Sequence, residues 1–181
     1  MRNIFIGFFL IFLDLNLTFD TSVLGLLPDF VGYIFLLRGL KELEARSTRF
    51  VQIRPFVIGM VIYSAVLYVL DLLGISVQLD WIGLLIGIVG TVVSLYISYV
   101  IIQGVREMET GYGIDLNGQQ LESLWKIMAI VQMLVYVGAF LPILLMLFAI
   151  VGVVLSILFL IAWNHARKRY EALPPQTFSG T

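Results

Sequence analysis

Apolar residues fill this chain in long runs, and charged positions break those runs at regular intervals. Residues 127–166 hold no Asp, Glu, Lys or Arg, a stretch of 40 residues. A membrane-crossing helix needs about 20 mostly apolar residues to span about 30 Å of hydrocarbon, so this run has room for two helices and a tight turn. Gly138 and Pro142 mark the turn. Pro142 suits the first turn of the following helix, where an N–H would have no intrahelical partner anyway. Between Arg54 and Arg106 the only charged residues are Asp71 and Asp80, which flank LLGISVQL. They predict a short loop between helices over 55–73 and 81–104. Between Arg2 and Arg38 the apolar pattern is interrupted by Asp14, Asp20 and Asp29. Two crossings fit there only if both are short or one is re-entrant.

The pattern therefore predicts an all-α fold: a polytopic membrane helix bundle of about six segments. These form three helical hairpins, 3–46, 55–109 and 119–171, in one transmembrane domain over 1–172. The tail 173–181, with Pro174-Pro175, reads as disordered. The opening run IFIGFFLIFL resembles a signal peptide but lacks an A-x-A site, and reads as an uncleaved first membrane helix.

Composition agrees with lipid as the solvent. The 181 residues are 60% hydrophobic and 13% charged, with mean hydropathy +1.01, against about 45–50% and about 25% in soluble chains. Eleven Lys+Arg against twelve Asp+Glu give a net charge of −1, so no basic excess points to nucleic acid. There is no cysteine, hence no disulfide, thiolate nucleophile or cysteine metal site.

The charges sort by side. In a six-segment threading, the N-terminus, the 38–54 loop, the 105–126 loop and the C-terminus share one face and hold all eleven basic residues. The positive-inside rule makes that face, with both termini, cytoplasmic. Glu42, Glu44, Glu107, Glu109, Asp115, Glu122 and Glu171 fall on it too, whereas Asp14, Asp20, Asp29, Asp71 and Asp80 fall toward the other. Fusing 121–168 into one kinked helix would put Arg167, Lys168 and Arg169 outside, which argues against it.

An internal repeat accompanies this threading. Shifted by 62 positions, residues 88–94 match 150–156 at five of seven positions, and Arg106 and Glu109 fall on Lys168 and Glu171. Shifted by 65, residues 38–44 lie on 103–109, and Gly25 on Gly90. Three parallel hairpins are the simplest account; compositional likeness of apolar helices is the plainer one. The fourth segment carries a small-residue stripe, Gly83, Gly87, Gly90, Ser94 and Ser98, on one helix face. The sixth carries a shorter one, Ala149, Gly152 and Ser156. Such faces let helix backbones approach in lipid, within the chain or at a homodimer seam. Tyr63, Tyr68, Trp81, Tyr96, Tyr99, Trp125 and Trp163 read as interfacial belts, with no ligand assigned. Asn117, with Gln120 three residues on, reads as a cap for the fifth helix.

Candidate chemistry concentrates in 14–32, DLNLTFDTSVLGLLPDFVG. Charged groups at membrane depth are costly and mark pathways or cavities. One reading is an outward-facing polar pocket of Asp14, Asn16, Asp20 and Asp29, joined by Asp71 and Asp80, for a cation, a proton or a basic solute. The other is a solvated loop and a helix start at Pro28-Asp29. Arg38 reads as a residue that snorkels to the interface. A single histidine, His165 at the inner end of the last segment, and the absence of H-E-x-x-H or a membrane-embedded G-x-G-D leave no catalytic constellation, cofactor site or metal site.

The opening IFLDLNLTFDTSVLGLLPDFVGYIFLLRGLKELE resembles a group of small, uncharacterised multi-pass membrane proteins of Gram-positive bacteria. The match lies in Asp14 and Asn16, in Leu27 to Tyr33 (L-P-D-F-x-G-Y), and in Gly39 to Leu43. It implies a bacterial plasma membrane and no particular activity. Two functions stay open: a small transporter or channel-like protein using outer-side aspartates, and a non-catalytic subunit or scaffold. The partners implied are the lipid bilayer and either further copies of the chain or another membrane protein.

Overall fold

The structure, a computed structural model, describes residues 1–12, 16–19, 22–25, 28–73, 80–138 and 141–174. Among these, six helices follow in chain order: α1 (Arg2–Phe12), α2 (Asp29–Leu43), α3 (Thr48–Leu72), α4 (Asp80–Tyr112), α5 (Gly118–Gly138) and α6 (Pro142–Glu171). Two four-residue strands, β1 (Asn16–Phe19) and β2 (Ser22–Gly25), pair antiparallel between α1 and α2, with Asn16 opposite Gly25. The apolar pattern does not announce this small hairpin, because four-residue strands are too short to display a period. Three helices are long and apolar enough to cross a membrane: Thr48–Leu72, Trp81–Tyr112 and Ile143–Glu171. α1 and α2, of 11 and 15 residues, fall short of the about 20 residues a crossing needs.

Each helix packs on its neighbours in chain order, and α6 closes back onto α1, so the helices form a ring. The seam between α1 and α2 is set by glycines. A Cβ on Gly39 would lie 2.7 Å from the backbone nitrogen of Ile4, and one on Gly32 would lie 2.9 Å from the carbonyl oxygen of Gly7. Only glycine permits that approach, the device expected where no hydrophobic force drives helices together in lipid. The closing contact is aromatic: Phe8 sits 5.7 Å from Phe159 and 5.1 Å from Trp163, centroid to centroid.

Local signals fix the helix ends. Ser47 caps α3, its hydroxyl oxygen accepting from the Arg49 N–H at 3.2 Å. α4 ends at Gly113, whose φ of 64° lets the Ile114 N–H reach back to the Glu109 carbonyl at 3.1 Å. Pro142 starts α6 after a turn in which the Leu141 N–H donates to Gly138 O at 2.8 Å. At α5 the outcome differs from the expected Asn117 cap. Asn117 is left-handed, φ 68°, and the end of α5 is held by Glu109, whose carboxylate accepts from the N–H groups of Leu116 (2.7 Å) and Gly118 (2.8 Å). A carboxylate at the positive end of the helix dipole does the work of a local cap.

One end of the ring collects charge. Arg49 pairs with Glu107, Arg54 with Glu44 at 2.9 Å, Arg106 and Lys126 with Glu122, Arg169 with Asp115, and Asn3 with Glu42. The Asn117 N–H and the Arg169 guanidinium hold the Asp115 carboxyl below its ordinary value. These pairs join the four segments that the sequence places on one face. Just above them lies the core, where Leu36, Leu40, Phe50, Ile53, Ile101, Met108, Phe159 and Trp163 are fully buried. These side chains fill the interior of the ring between the ion pairs and its far end.

Candidate functional site

The ring opens at the opposite end. A cavity of about 540 Å³ lies between the far halves of α2, α3, α4 and α5, with the end of α1 also in its wall. Its wall carries two carboxylates: Asp29 in the first turn of α2 and Asp71 in the last turn of α3. Among the described residues that line it there is no Lys, Arg or His. Local helix physics accounts for the two acids differently. An acid at an N-terminus gains from the helix dipole, so Asp29 has a structural explanation of its own. An acid at a C-terminus is opposed by that dipole, by about 0.3–1 kcal/mol, so Asp71 sits where helix stability does not favour it.

The rest of the wall is hydroxyl-rich, and most of its donors are committed. The Tyr63 hydroxyl donates to the Ile86 carbonyl at 2.7 Å. Thr91 and Tyr136 share a hydrogen bond of 2.6 Å. Tyr33 is buried with its hydroxyl bonded to Ser94. The Ser64 hydroxyl donates to the Met60 carbonyl one turn back at 2.5 Å. Tyr68 stands edge-on to Phe30, 5.8 Å between centroids. Gln132 adds an amide from α5. Burial of polar groups costs free energy unless they are bonded, and these are bonded in ways that keep the wall in place.

The glycines of α4 make room for this lining. A Cβ on Gly90 would fall 2.5 Å from the Tyr63 hydroxyl oxygen, and one on Gly87 3.5 Å from that of Tyr136. Ser94 joins the cavity wall. Ser98 is buried one turn on and accepts from the Trp125 indole at 3.0 Å. Gly83 lies in the first turns of α4. From Gly87 to Ser98 the stripe thus faces α2, α3 and α5 within the chain. The corresponding position of α6 behaves otherwise: Gly152 has no atom within 4 Å of where its Cβ would stand, and Ser156 is half-buried. The two halves of the sequence repeat are packed differently.

Of the residues expected in an acidic pocket, Asp29 and Asp71 line the cavity. Asp14 and Asp20 lie outside the described residues, Asn16 begins β1, and Asp80 begins α4. The tyrosines are what the sequence reading misses. Tyr63 and Tyr68, read as belt residues, line the cavity with Tyr33 and Tyr136. Their spacing carried a signal: Tyr63, Ser64, Tyr68 and Asp71 place polar and aromatic side chains on one face of α3 over two turns. Trp163 departs from the belt as well. It is fully buried at the α1–α6 seam, because the ring closes there. Trp81 and Tyr96 are exposed, as a belt requires. Arg38 is exposed over the ring of Phe35 at 5.7 Å, and His165 is exposed.

No protein-family model matches the sequence, no curated protein matches it, and no solved structure matches the fold.

Proposed function

We propose that this chain is a small bacterial plasma-membrane protein that binds a cation or cationic solute in the acidic cavity and passes it across the bilayer. In this reading the charged end of the ring is cytoplasmic, both termini with it, and the cavity faces outward. α3 to α6 cross the membrane, α1 and α2 form a short hairpin in it, and three hairpins make up the bundle. The observation that carries the reading is a cavity with two carboxylates and no basic residue among its described lining, at the end away from the paired Arg and Lys residues. Ionisable groups at membrane depth are expensive and face a pathway or a partner. A concave wall of one sign also concentrates ions of the other. In this reading the form is outward-open, and the packed core beneath the cavity, with the Phe8–Phe159–Trp163 cluster, is the barrier that must move.

Flux of protons and monovalent cations into proteoliposomes tests it, wild type beside Asp29→Asn. The expected result is a flux that the substitution reduces at least tenfold. A flux unchanged by Asp29→Asn and by Asp71→Asn would remove the cavity from the pathway.

A specific feature favours a second reading, a subunit or scaffold that binds another membrane protein or its own copy. The far half of α6 is exposed nearly all round, Ile143 at 86% and Met146 at 68%, with Gly152 open beside it. Absence of flux for every ion, with retained folding, would favour that role.

A further inference from the structure

We infer that the ligand of this cavity is a small organic ammonium ion rather than a bare metal ion. The inference rests on the cation-binding reading above and names its substrate class. Three features of the wall carry it. The first is size: about 540 Å³ lies within the about 300–1,000 Å³ of small-molecule pockets. A desolvated metal ion needs instead a tight shell of about six to eight oxygens. No group of three or more His, Asp or Glu residues among the described residues is placed to supply such a shell.

The second feature is the aromatic wall. Four tyrosines, Tyr33, Tyr63, Tyr68 and Tyr136, line one cavity with Asp29 and Asp71. Carboxylate together with several aromatic rings is the surface that recognises alkylated ammonium groups. The ring quadrupole attracts a diffuse cation that sheds its water cheaply, and the carboxylate supplies the net charge. The third feature is what the hydroxyls already do. Tyr63 donates to Ile86 O, Tyr136 shares its bond with Thr91, and Tyr33 is bonded to Ser94. Tyr33 is buried behind the wall, and the half-buried Tyr63 and Tyr136, with their polar ends anchored, offer a ligand chiefly their rings. A site built for a proton or a small alkali ion needs oxygens turned inward and has no use for the half-buried rings of Tyr63, Tyr68 and Tyr136.

The test is equilibrium binding of tetramethylammonium to the purified full chain in lipid nanodiscs, followed by intrinsic fluorescence, with sodium and potassium as comparison ions. Tetramethylammonium is expected to bind more tightly than either metal ion. Tyr136→Leu should weaken it about three- to thirty-fold, the range from an exposed to a desolvated cation–π contact. Tyr136→Phe, which keeps the ring and loses the hydroxyl, should restore most of the affinity. Tyr68→Leu serves as a second variant should Tyr136→Leu fail to fold. If sodium or potassium binds in an Asp29-dependent way and tetramethylammonium does not, the ammonium inference is overturned while the cation cavity stands. If Tyr136→Phe and Tyr136→Leu weaken tetramethylammonium alike, the hydroxyl matters and the ring does not, which also overturns it. If no cation binds in an Asp29-dependent way, the underlying cavity reading falls with it.

Discussion

At the scale of single residues, the glycines of this chain separate into two kinds that look identical in the sequence. Gly90 and Gly152 occupy matching positions of the repeat, yet a Cβ at the first would strike Tyr63 at 2.5 Å and one at the second would meet nothing. Gly59 is as open as Gly152. Gly90→Ala is therefore expected to push the Tyr63 ring off its bond to Ile86 O and destabilise the protein by about 1–3 kcal/mol, as overpacking does. Gly59→Ala and Gly152→Ala should be neutral or gain up to about 1 kcal/mol from helix propensity. Thermal unfolding of the three variants in one detergent decides the matter, and an equal effect at all three positions would show that the close approach at Gly90 carries no load. The residue types were legible, since small residues at helical spacing announce a close-packed face. Which of two matching faces is covered was not, because that depends on a helix more than twenty residues away in the chain.

At the scale of elements, the helix starts and stops written in neighbouring residues could be read directly, and those written across the chain could not. Pro142 and Gly138 define the α5–α6 turn, and the pair Asp71 and Asp80 brackets the end of α3 and the start of α4. The start of α5 shows the other case. Asn117 and Gln120 form a plausible local cap, but the orphan N–H groups go to Glu109, on the last turns of α4. Because both bonds end on one carboxylate oxygen, the charge and the acceptor can be separated. Glu109→Ala removes both and is expected to cost about 1–2 kcal/mol, the value of a strong cap. Glu109→Gln keeps an acceptor and should lose only the dipole contribution, about 0.3–1 kcal/mol. Chemical unfolding of the two variants reads the difference; identical losses would mean that charge alone matters there. The strands β1 and β2 and the α1–α2 glycine seam were hidden for a related reason. Eleven- and four-residue elements offer too few positions for a period, and only the contact between Gly39 and Ile4 shows how the short helices are held.

At the scale of the molecule, the gathering of charge at one end was the most legible property and the cavity the least. All eleven basic residues fall on four segments that alternate with apolar runs, and the ion pairs among those segments gather at one end of the ring. A cavity needs four helices to come together, and no one of them displays it: each contributes two to seven positions, mostly tyrosine, serine, glycine and aspartate, that are unremarkable alone. The field inside it can be measured without knowing the ligand. The chain has no cysteine, so a single introduced thiol reports only on its own site. Gln132 lines the cavity from α5, and Asp115 is exposed on the loop at the charged end. Both membrane-impermeant reagents, one cationic and one anionic, should reach Gln132→Cys from the outer side of oriented vesicles, and Asp115→Cys only from the other. At Gln132→Cys the cationic reagent should react about tenfold faster or more, as expected where a low-dielectric wall focuses two negative charges. Adding Asp29→Asn or Asp71→Asn should shrink that ratio, each removing one source of the field. Equal rates for the two reagents would mean that the aspartates do not act on the cavity, and labelling of Gln132→Cys from the Asp115 side would invert the proposed orientation.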